Sequence, residues 1–265
     1  MTVAKLQKIA NSIVFITGAS SGIGRSCAQK FAEAGARLIL VARRKERLEK
    51  LAAELKKQFK TEIFVDALDV RDSHAVTKFV QKLPAEWQHI ALLINNAGLS
   101  RGLNKLYEGK LEDWEEMIDT NVKGLLYVSR AVIPGMVERN NGTIINIGSI
   151  AGHDVYPGGN VYCATKHAVD ALTKGMRMDL VDTPIRVCTI DPGLVETEFS
   201  EVRFHGDKER AKKTYQNMAP LTPEDVADAV FYAATRPPHV QIAELIIMPT
   251  AQASTTLVHR NHSSS

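Results

Sequence analysis

The 265 residues predict an α/β fold with a doubly wound parallel sheet, because short apolar runs alternate with amphipathic stretches along the chain. The first apolar run, 13–16, leads into the glycine-rich segment at 17–24, which opens a helix that extends to about residue 34. The run at 90–94 is apolar throughout, as is typical of a strand buried on both faces. The length and the absence of a linker predict a single domain over residues 1–265.

Composition and charge are those of an ordinary globular protein. The net charge of +3 is too small to indicate nucleic-acid binding, and 45% of the residues are hydrophobic. No apolar run approaches the ~20 residues that span a bilayer, and residues 1–11 lack the apolar core of a signal peptide. Cys27, Cys163 and Cys188 lack metal-ligand spacing and suit a reducing compartment. We therefore expect a cytoplasmic protein without metal, membrane or nucleic-acid partner, and a frayed tail at 259–265.

Three glycines in the first turn predict a phosphate-binding loop. Gly18, Gly22 and Gly24 follow the first predicted strand and open a helix. Glycine lets the backbone approach a pyrophosphate, and the N-terminus of the next helix then faces the phosphates. The alternative is a turn that only connects the strand to the helix. The residues expected to contact a dinucleotide here are Gly18, Ser20, Ser21, Gly22, Ile23 and Gly24.

Two arginines follow the second predicted strand, 38–41, and bear on the identity of the dinucleotide. In nicotinamide-binding folds, an acidic residue at this strand end bonds the adenosine ribose. Here Arg43 and Arg44 take that place, and two guanidinium groups favour a ribose 2′-phosphate. We therefore expect NADP(H) rather than NAD(H). Alternatively, one or both arginines simply begin the charged helix that follows.

Asp69 and Val70 follow the third predicted strand, 63–65. Asp69 is a candidate acceptor for the adenine amino group, and both residues are expected beside the cofactor. The alternative role for Asp69 is that of a helix N-cap, for which Asp72 or Ser73 is the better candidate.

The ends of two later strands are expected to supply the remaining cofactor contacts. Small residues follow the strand at 90–94, where they leave room for a ribose or a nicotinamide. The strand at 185–190 ends near a Pro-Gly turn, beyond which Thr197 and the Val195 amide are candidates to bond a carboxamide. The expected contacts at these two ends are Asn96, Ala97, Gly98, Pro192, Gly193, Val195 and Thr197.

Ser149, Tyr162 and Lys166 predict a reaction site. Ser149 follows the strand at 142–147, and Tyr162 and Lys166 lie one helical turn apart on one face of a helix. Because an ammonium stabilises a phenolate, we expect Lys166 to lower the pKa of Tyr162, with help from cofactor charge, burial and helix dipoles. Ser149 is expected to bond a substrate oxygen. The alternative is an amphipathic helix whose Tyr and Lys are ordinary surface residues.

Asn121 lies within a long predicted helix at 111–136. Asparagine is locally unfavourable in a helix, so we expect a distortion there. The side chain is expected to hold a water molecule or the lysine. A buried amide that pairs with backbone groups is the alternative.

Taken together, these features resemble the short-chain dehydrogenase/reductase family over about residues 12–248. The segments that carry the resemblance are TGASSGIG, NNAG, Asn121, Ser149, Tyr162-x-x-x-Lys166 and Pro192-Gly193. It implies a Rossmann-like seven-stranded sheet in the order 3-2-1-4-5-6-7, with helices on both faces. It also implies that Tyr162 is the general acid/base, that Lys166 binds the nicotinamide ribose and that Ser149 orients the substrate oxygen. Asn121 is expected to support a water relay, and Tyr162 to contact both cofactor and substrate.

Three longer segments are similar to the NADP-dependent 3-hydroxy acid dehydrogenase branch of that family, namely GSIAGHDVYPGGNVYCATK, DPGLVETEFSEVRFHGD and IIMPTAQAS. This resemblance implies hydride transfer between NADP(H) and small 3-hydroxy or 3-oxo acids of the L-serine, L-allo-threonine and 3-hydroxypropionate class. The family's usual homotetramer would use the helices at 111–136 and 162–181. The small residues that fit such close helix contact are Ala164, Ala168, Ala171 and Gly175.

Residues 199–218 lack a clean apolar period and are the best candidate for a substrate lid. A guanidinium can grip a carboxylate through two parallel bonds, and Arg203 is the basic lid residue closest to the Pro-Gly turn. The alternative is a solvated charged helix. The expected substrate contacts are Ser149, Tyr156, Tyr162 and Arg203.

Two other functions stay open from sequence. One is a broad NADPH carbonyl reductase for neutral ketones, sugars or steroids, although such substrates need a largely apolar wall. The other is a nucleotide-bound regulatory protein, which the complete set of Asn121, Ser149, Tyr162 and Lys166 disfavours.

Overall fold

A computed structural model describes residues 7–261 of the chain. In this part of the chain, parallel strands form one seven-stranded sheet in the order β3-β2-β1-β4-β5-β6-β7, which confirms the predicted fold and strand order. The strands are β1 (Ile13–Thr17), β2 (Arg37–Ala42), β3 (Ile63–Ala67), β4 (Ile90–Asn95), β5 (Thr143–Ile147), β6 (Arg186–Pro192) and β7 (Glu244–Ile247).

Helices cover both faces of the sheet. They are α1 (Gly22–Glu33), α2 (Lys45–Phe59), α3 (Ser73–Gln81), α4 (Leu111–Ile118), α5 (Leu125–Glu138), α6 (Asn160–Asp179), α7 (Phe199–Arg203), α8 (Lys208–Lys213) and α9 (Pro223–Ala234). α1, α2 and α9 pack into one apolar core, while α3 and α5 pack into the other. Neighbouring residues of a strand face opposite sides, so Ile16 enters the first core and Phe15 the second. This double burial explains the continuous apolar runs of the sequence.

The strand order reverses beside β1, which pairs with β2 on one side and β4 on the other. The connections from β1 and β4 therefore leave the sheet in opposite directions. A crevice opens at this point along the carboxyl ends of the strands, where ligands bind in open α/β sheets.

The predicted helix at 111–136 is interrupted as expected. A π-helical segment, Asp119–Gly124, joins α4 to α5 and contains Asn121. The wider turn gives the buried amide a place that a regular α-helix does not provide. β6 ends two residues later than predicted, because Asp191 and Pro192 still pair with Ile246 and Ile247 of β7.

The end of the described chain is anchored, which corrects the expectation of a frayed tail for residues 259–261. The amide of His259 donates to the carbonyl of Ala251 at 2.8 Å, and that of Asn261 to Asn217 at 2.9 Å. The Arg260 guanidinium donates to the carbonyls of Thr214 and Gln216, so this segment holds the predicted lid at 199–218. Residues 262–265 of the predicted tail lie outside the described residues.

No helix formed by residues 7–261 is long and apolar enough to cross a membrane.

Candidate active site

A cavity of about 650 Å³ lies at the carboxyl ends of the central strands, within the size range of small-molecule sites. Nearly all the predicted site residues line it. These are Gly18, Ser20, Ser21, Gly22, Ile23, Arg43, Arg44, Asp69, Val70, Asn96, Ala97, Gly98, Ser149, Tyr156, Tyr162, Lys166, Pro192, Gly193, Val195, Thr197 and Arg203. Two predicted residues, Gly24 and Asn121, lie behind the wall instead.

The glycine loop has the backbone conformation that its sequence predicts. Gly18 and Gly22 have φ values of +65° and +50°, which disfavour any residue with a Cβ atom. Gly24 has a different role from the predicted cofactor contact, because a Cβ there would lie 2.6 Å from the Gly18 carbonyl oxygen. Asn96 holds this loop, since its side chain donates to the carbonyls of Thr17 and Gly18. The loop and the N-terminus of α1 thus present free backbone amides to the cavity.

Ser149, Tyr162 and Lys166 meet on the floor of the cavity, as predicted. All three are buried, and the Lys166 side chain passes beneath Tyr162 with Nζ 5.9 Å from the ring centroid. The same Nζ donates to the carbonyl of Ile147 at 2.9 Å, which ties α6 to the end of β5. A shared helical face and a strand end therefore bring the three side chains together.

The electrostatics of this floor differ from the sequence prediction. Burial raises the pKa of Tyr162, while the Arg203 guanidinium and the Ser149 hydroxyl oppose that rise. Burial also lowers the pKa of Lys166 to about 8, against the attraction of the Asp191 carboxylate. Among the protein's own groups, Arg203 and Ser149 rather than Lys166 favour the phenolate, and the desolvation of Tyr162 outweighs them.

Asn121 adopts the alternative arrangement, a buried amide that pairs with backbone. Its Nδ2 donates to the Leu99 carbonyl at 2.8 Å and to the Thr165 hydroxyl at 3.0 Å. Its Oδ1 accepts the Leu99 amide at 2.9 Å. These bonds fix the loop after β4 against α6. Asn121 therefore has a structural role, in place of the direct bond to Lys166 that was one of the expectations. Gly98 lies between the Asn121 amide and the Lys166 ammonium. A Cβ atom on Gly98 would be 3.3 Å from Asn121 Oδ1 and 3.8 Å from Lys166 Nζ.

Arginine side chains form the rim of the cavity beside the ends of β2 and α2. Arg44 donates to Ser20 and Ser21 of the glycine loop, at 3.2 and 2.9 Å, and pairs with Glu198 at 3.1 Å. Arg43 lies 3.5 Å from Glu116. Arg47, which the sequence did not single out, also pairs with Glu198. A cluster of guanidinium groups near the glycine loop fits a dinucleotide that carries an additional phosphate.

The predicted contact at Asp69 is modified by its neighbour. Both carboxylate oxygens of Asp69 accept bonds from the Arg71 guanidinium, at 2.6 to 3.0 Å. Arg71 also lowers the pKa of Asp69. Asp72, one of the two better N-cap candidates, is the N-cap of α3 and accepts the amides of His74 and Ala75, so Asp69 does not have that alternative role. Arg71 therefore holds the Asp69 side chain in place at the cavity wall.

Arg203 enters the cavity from the lid, whereas the other basic lid residues lie on or near the exposed helix α8. Its Nε donates to the Ser100 hydroxyl at 3.1 Å and one Nη to the Tyr156 hydroxyl at 3.0 Å. The guanidinium carbon lies 5.3 Å from the Tyr162 ring centroid and 5.2 Å from that of Phe199. Ser100 was missed from sequence, although its position just after the Asn95–Gly98 turn was a signal that could have found it.

The short chain dehydrogenase family model matches residues 12–208. The chain belongs to this family. This short-chain dehydrogenase is an oxidoreductase and is 50% identical over 250 residues to the NADP-dependent 3-hydroxy acid dehydrogenase of Escherichia coli strain K12. That alignment covers 94% of this chain and 99% of the relative. The enzyme with the same description from Schizosaccharomyces pombe is 44% identical over 256 residues, which are 96% of this chain and 99% of that one.

Among solved structures, this short-chain dehydrogenase is similar to the closed form of serine dehydrogenase complexed with NADP+. The TM-score is 0.88 at 50% sequence identity, and the alignment covers 94% of this chain and all of that chain. The resemblance inferred from the motifs is therefore confirmed at the level of family and fold.

Proposed function

We propose that this short-chain dehydrogenase transfers a hydride between NADP(H) and a small 3-hydroxy acid or 3-oxo acid, of the L-serine, L-allo-threonine and 3-hydroxypropionate class. The observation that carries the proposal is the guanidinium of Arg203, which lies over the Tyr162 ring inside the cavity. A small substrate whose hydroxyl contacts Tyr162 places a nearby carboxylate within reach of this cation. The substrate class named in the relatives supports the same conclusion.

The cofactor side of the proposal rests on the loop and the rim. The backbone amides of Gly18 and of residues 20–23 would bind the pyrophosphate, whereas the Ala19 amide donates to the Val41 carbonyl. Arg43 and Arg44 would bind the ribose 2′-phosphate. We further propose that Lys166 would hold the nicotinamide ribose, and that Pro192, Gly193, Val195 and Thr197 would hold the carboxamide. NADP+ bound in this way would supply the acceptor for the hydride that leaves the carbon bearing the substrate hydroxyl.

The proton is handled by side chains of the floor. Tyr162 accepts the hydroxyl proton as the phenolate during oxidation, and returns it as the phenol during reduction. Ser149 donates to the substrate oxygen, where charge develops, and Arg203 adds positive charge that favours the phenolate. Asn121 contributes by holding the Leu99 loop in place, and its Oδ1 retains a free lone pair for a water relay. Burial of Tyr162 and Lys166 makes these charge interactions stronger than they would be in water.

We also propose that the chain works as one dinucleotide-binding and catalytic domain in which residues 199–218 act as the lid. The lid carries Arg203 and Phe199 to the Tyr162 ring, and Tyr215 donates to the Val195 carbonyl at 2.7 Å. Its two short helices have few buried residues of their own, as suits a segment that opens for substrate entry.

For the assembly, we propose a cytoplasmic homotetramer that acts on a small molecule, without a nucleic-acid or membrane partner. Support comes from exposed apolar residues on α4 and α5, and from small residues on α6, where a side chain at Gly175 would meet open space. The apolar set is Leu111, Ile118 and Leu126, and the exposed small residues of α6 are Ala164 and Ala171. The three free, buried cysteines suit a reducing compartment.

The test compares acids with their methyl esters under saturating NADP+. We expect L-serine and 3-hydroxypropionate to be oxidised at a much higher kcat/KM than their esters. Arg203→Gln should lower kcat/KM for the acids about 10- to 100-fold, as expected for loss of a charged hydrogen bond, and leave the esters nearly unchanged. Arg210→Gln is the matched control, because its guanidinium stacks on Phe204.

Equal activity on acids and esters, or an equal loss for both in Arg203→Gln, would contradict the acid-binding site and favour a broad carbonyl reductase. No turnover on any hydroxy compound would favour the regulatory protein instead.

A further inference from the structure

The backbone that carries Ser149 is held from below by a buried carboxylate. Oδ1 of Asp191, near the end of β6, accepts the Ser149 amide at 3.0 Å and the Thr189 hydroxyl at 2.8 Å. Gly148 must be glycine, since a Cβ there would overlap the Asp191 carboxylate. Asp191 therefore helps to set the path of the chain into Ser149, together with the bond from the Gly148 amide to the Ile190 carbonyl.

With the backbone held in this position, the proton of the Ser149 hydroxyl is available for donation. Its Oγ accepts the Ala151 amide at 3.1 Å, while the Pro192 carbonyl that could receive its proton is 3.5 Å away, at the limit of a hydrogen bond. A small displacement of the Ser149 backbone would thus change where the proton points. Groups that hold Asp191 in place also hold this hydroxyl.

The second oxygen of Asp191 faces His153. Nε2 of the imidazole lies 3.2 Å from Asp191 Oδ2, at ion-pair distance, and this buried oxygen has no partner of regular hydrogen-bond geometry among the described residues. Nδ1, on the other side of the ring, lies 3.6 Å from the carboxylate of Glu244 on β7. Burial raises the pKa of Asp191, and hydrogen bonds from Thr189 and His153 oppose that rise.

The same three residues bring possible metal-ligand atoms within 4.8 Å of one another. The ring contacts both carboxylates, and its contact with Asp191 at 3.2 Å is shorter than its contact with Glu244 at 3.6 Å.

We propose that His153 is a positioning residue for the reaction: through Asp191 it fixes the backbone of Ser149 and thereby the direction of the Ser149 hydroxyl. The proposal rests on the proposed function, in which that hydroxyl donates to the substrate oxygen. His153 does not line the cavity, and its side chain is 23% exposed.

A double-mutant cycle between His153→Ala and Ser149→Ala tests this inference. We expect His153→Ala to lower kcat about 10-fold, because a small misplacement of a catalytic donor is costly, with little change in KM for the acid or in the Kd for NADPH. In the Ser149→Ala background, the same substitution should change kcat less than about two-fold, since the group that it positions is gone.

Two further variants make the result specific. His153→Gln keeps an amide donor toward Asp191 and should restore most of the rate that His153→Ala loses. His167→Gln is the matched control on α6, where the ring Nδ1 lies 2.9 Å from the Cys163 carbonyl, and should leave kcat unchanged. The melting temperature of each variant is measured in parallel, and we expect His153→Ala to melt close to the wild type.

A full 10-fold loss that persists in the Ser149→Ala background would overturn the positioning role while leaving the role of Ser149 intact. A loss in His153→Ala matched by a rise in KM and a lower melting temperature would overturn it as well. If Ser149→Ala alone keeps the wild-type rate, the proposed role of Ser149 fails, and this inference fails with it.

Discussion

The floor and the rim of the cavity are built in different ways. Lys166 on the floor is 7% exposed, Asn121 directly behind it is 2% exposed, and both bond to backbone carbonyls. On the rim, the side chains of Arg43 and Arg44 are 54% and 40% exposed and pair with glutamates. Removing a floor side chain leaves buried partners without a bond, whereas water replaces a lost rim partner. The floor should therefore tolerate substitution poorly, and the rim should respond in a graded way.

The largest effect is expected on the floor at Tyr162. Tyr162→Phe removes the proton donor and acceptor but keeps the ring that packs against Phe199. We expect kcat to fall about 10²- to 10⁴-fold, the usual contribution of a general acid/base, while the Kd for NADPH measured by fluorescence stays nearly unchanged. Tyr232→Phe on the exposed surface of α9 is the control. Turnover close to that of the wild type would remove Tyr162 from the reaction.

Substitution of Asn121 should lower the stability of the folded protein. Asn121→Ala leaves the amide and carbonyl of Leu99 without their partner, so we expect the free energy of unfolding to fall by about 2–4 kcal/mol. Urea denaturation followed by circular dichroism measures the change. The exposed Asn141→Ala should stay within about 0.5 kcal/mol of the wild type. A similar small change for Asn121→Ala would contradict the expectation that buried residues of the site tolerate substitution poorly.

Lys166 should give the floor a distinctive pH dependence. Burial lowers its pKa from 10.5 to about 8, so between these values the unfolded chain binds more protons than the folded one. The free energy of unfolding should therefore rise with pH across this window, relative to Lys166→Met, by a few kcal/mol at most. Below pH 8 the difference between the two proteins should be flat. A difference that falls as the pH rises would mean that Lys166 is not desolvated.

The rim should give the smallest effect. Arg43→Asp combined with Arg44→Ala is expected to weaken NADPH about 10-fold through loss of phosphate contacts on exposed side chains. The Kd for NADH should change little, because NADH lacks the 2′-phosphate. Arg25→Ala, which removes an exposed ion pair with Glu54, controls for general charge. An equal loss for NADPH and NADH would contradict the assignment of these arginines to the phosphate.

Local patterns in the chain were enough to predict the fold and the floor. Alternating apolar runs and amphipathic stretches determine the parallel sheet, because its central strands are buried on both faces. The four-residue spacing places Tyr162 and Lys166 on one helical face, and positive φ angles require the glycines at positions 18 and 22. The distortion at Asn121 was predictable for the same reason, since it follows from a residue that disfavours a regular helix.

Two features were decided only by the tertiary structure. These are which charged side chains pair with one another, and which side chains are buried away from water. Glu198 reaches Arg44 across 154 residues, and His153 meets Asp191 because two separate strand ends lie side by side. The same packing buries Tyr162 and Lys166, so the pKa of Tyr162 is raised where its spacing from Lys166 predicted a lowered one, and the pKa of Lys166 is lowered. The spacing of residues in the sequence determines on which face of a helix or strand a side chain lies. Burial and long-range pairing depend instead on how distant parts of the chain pack together.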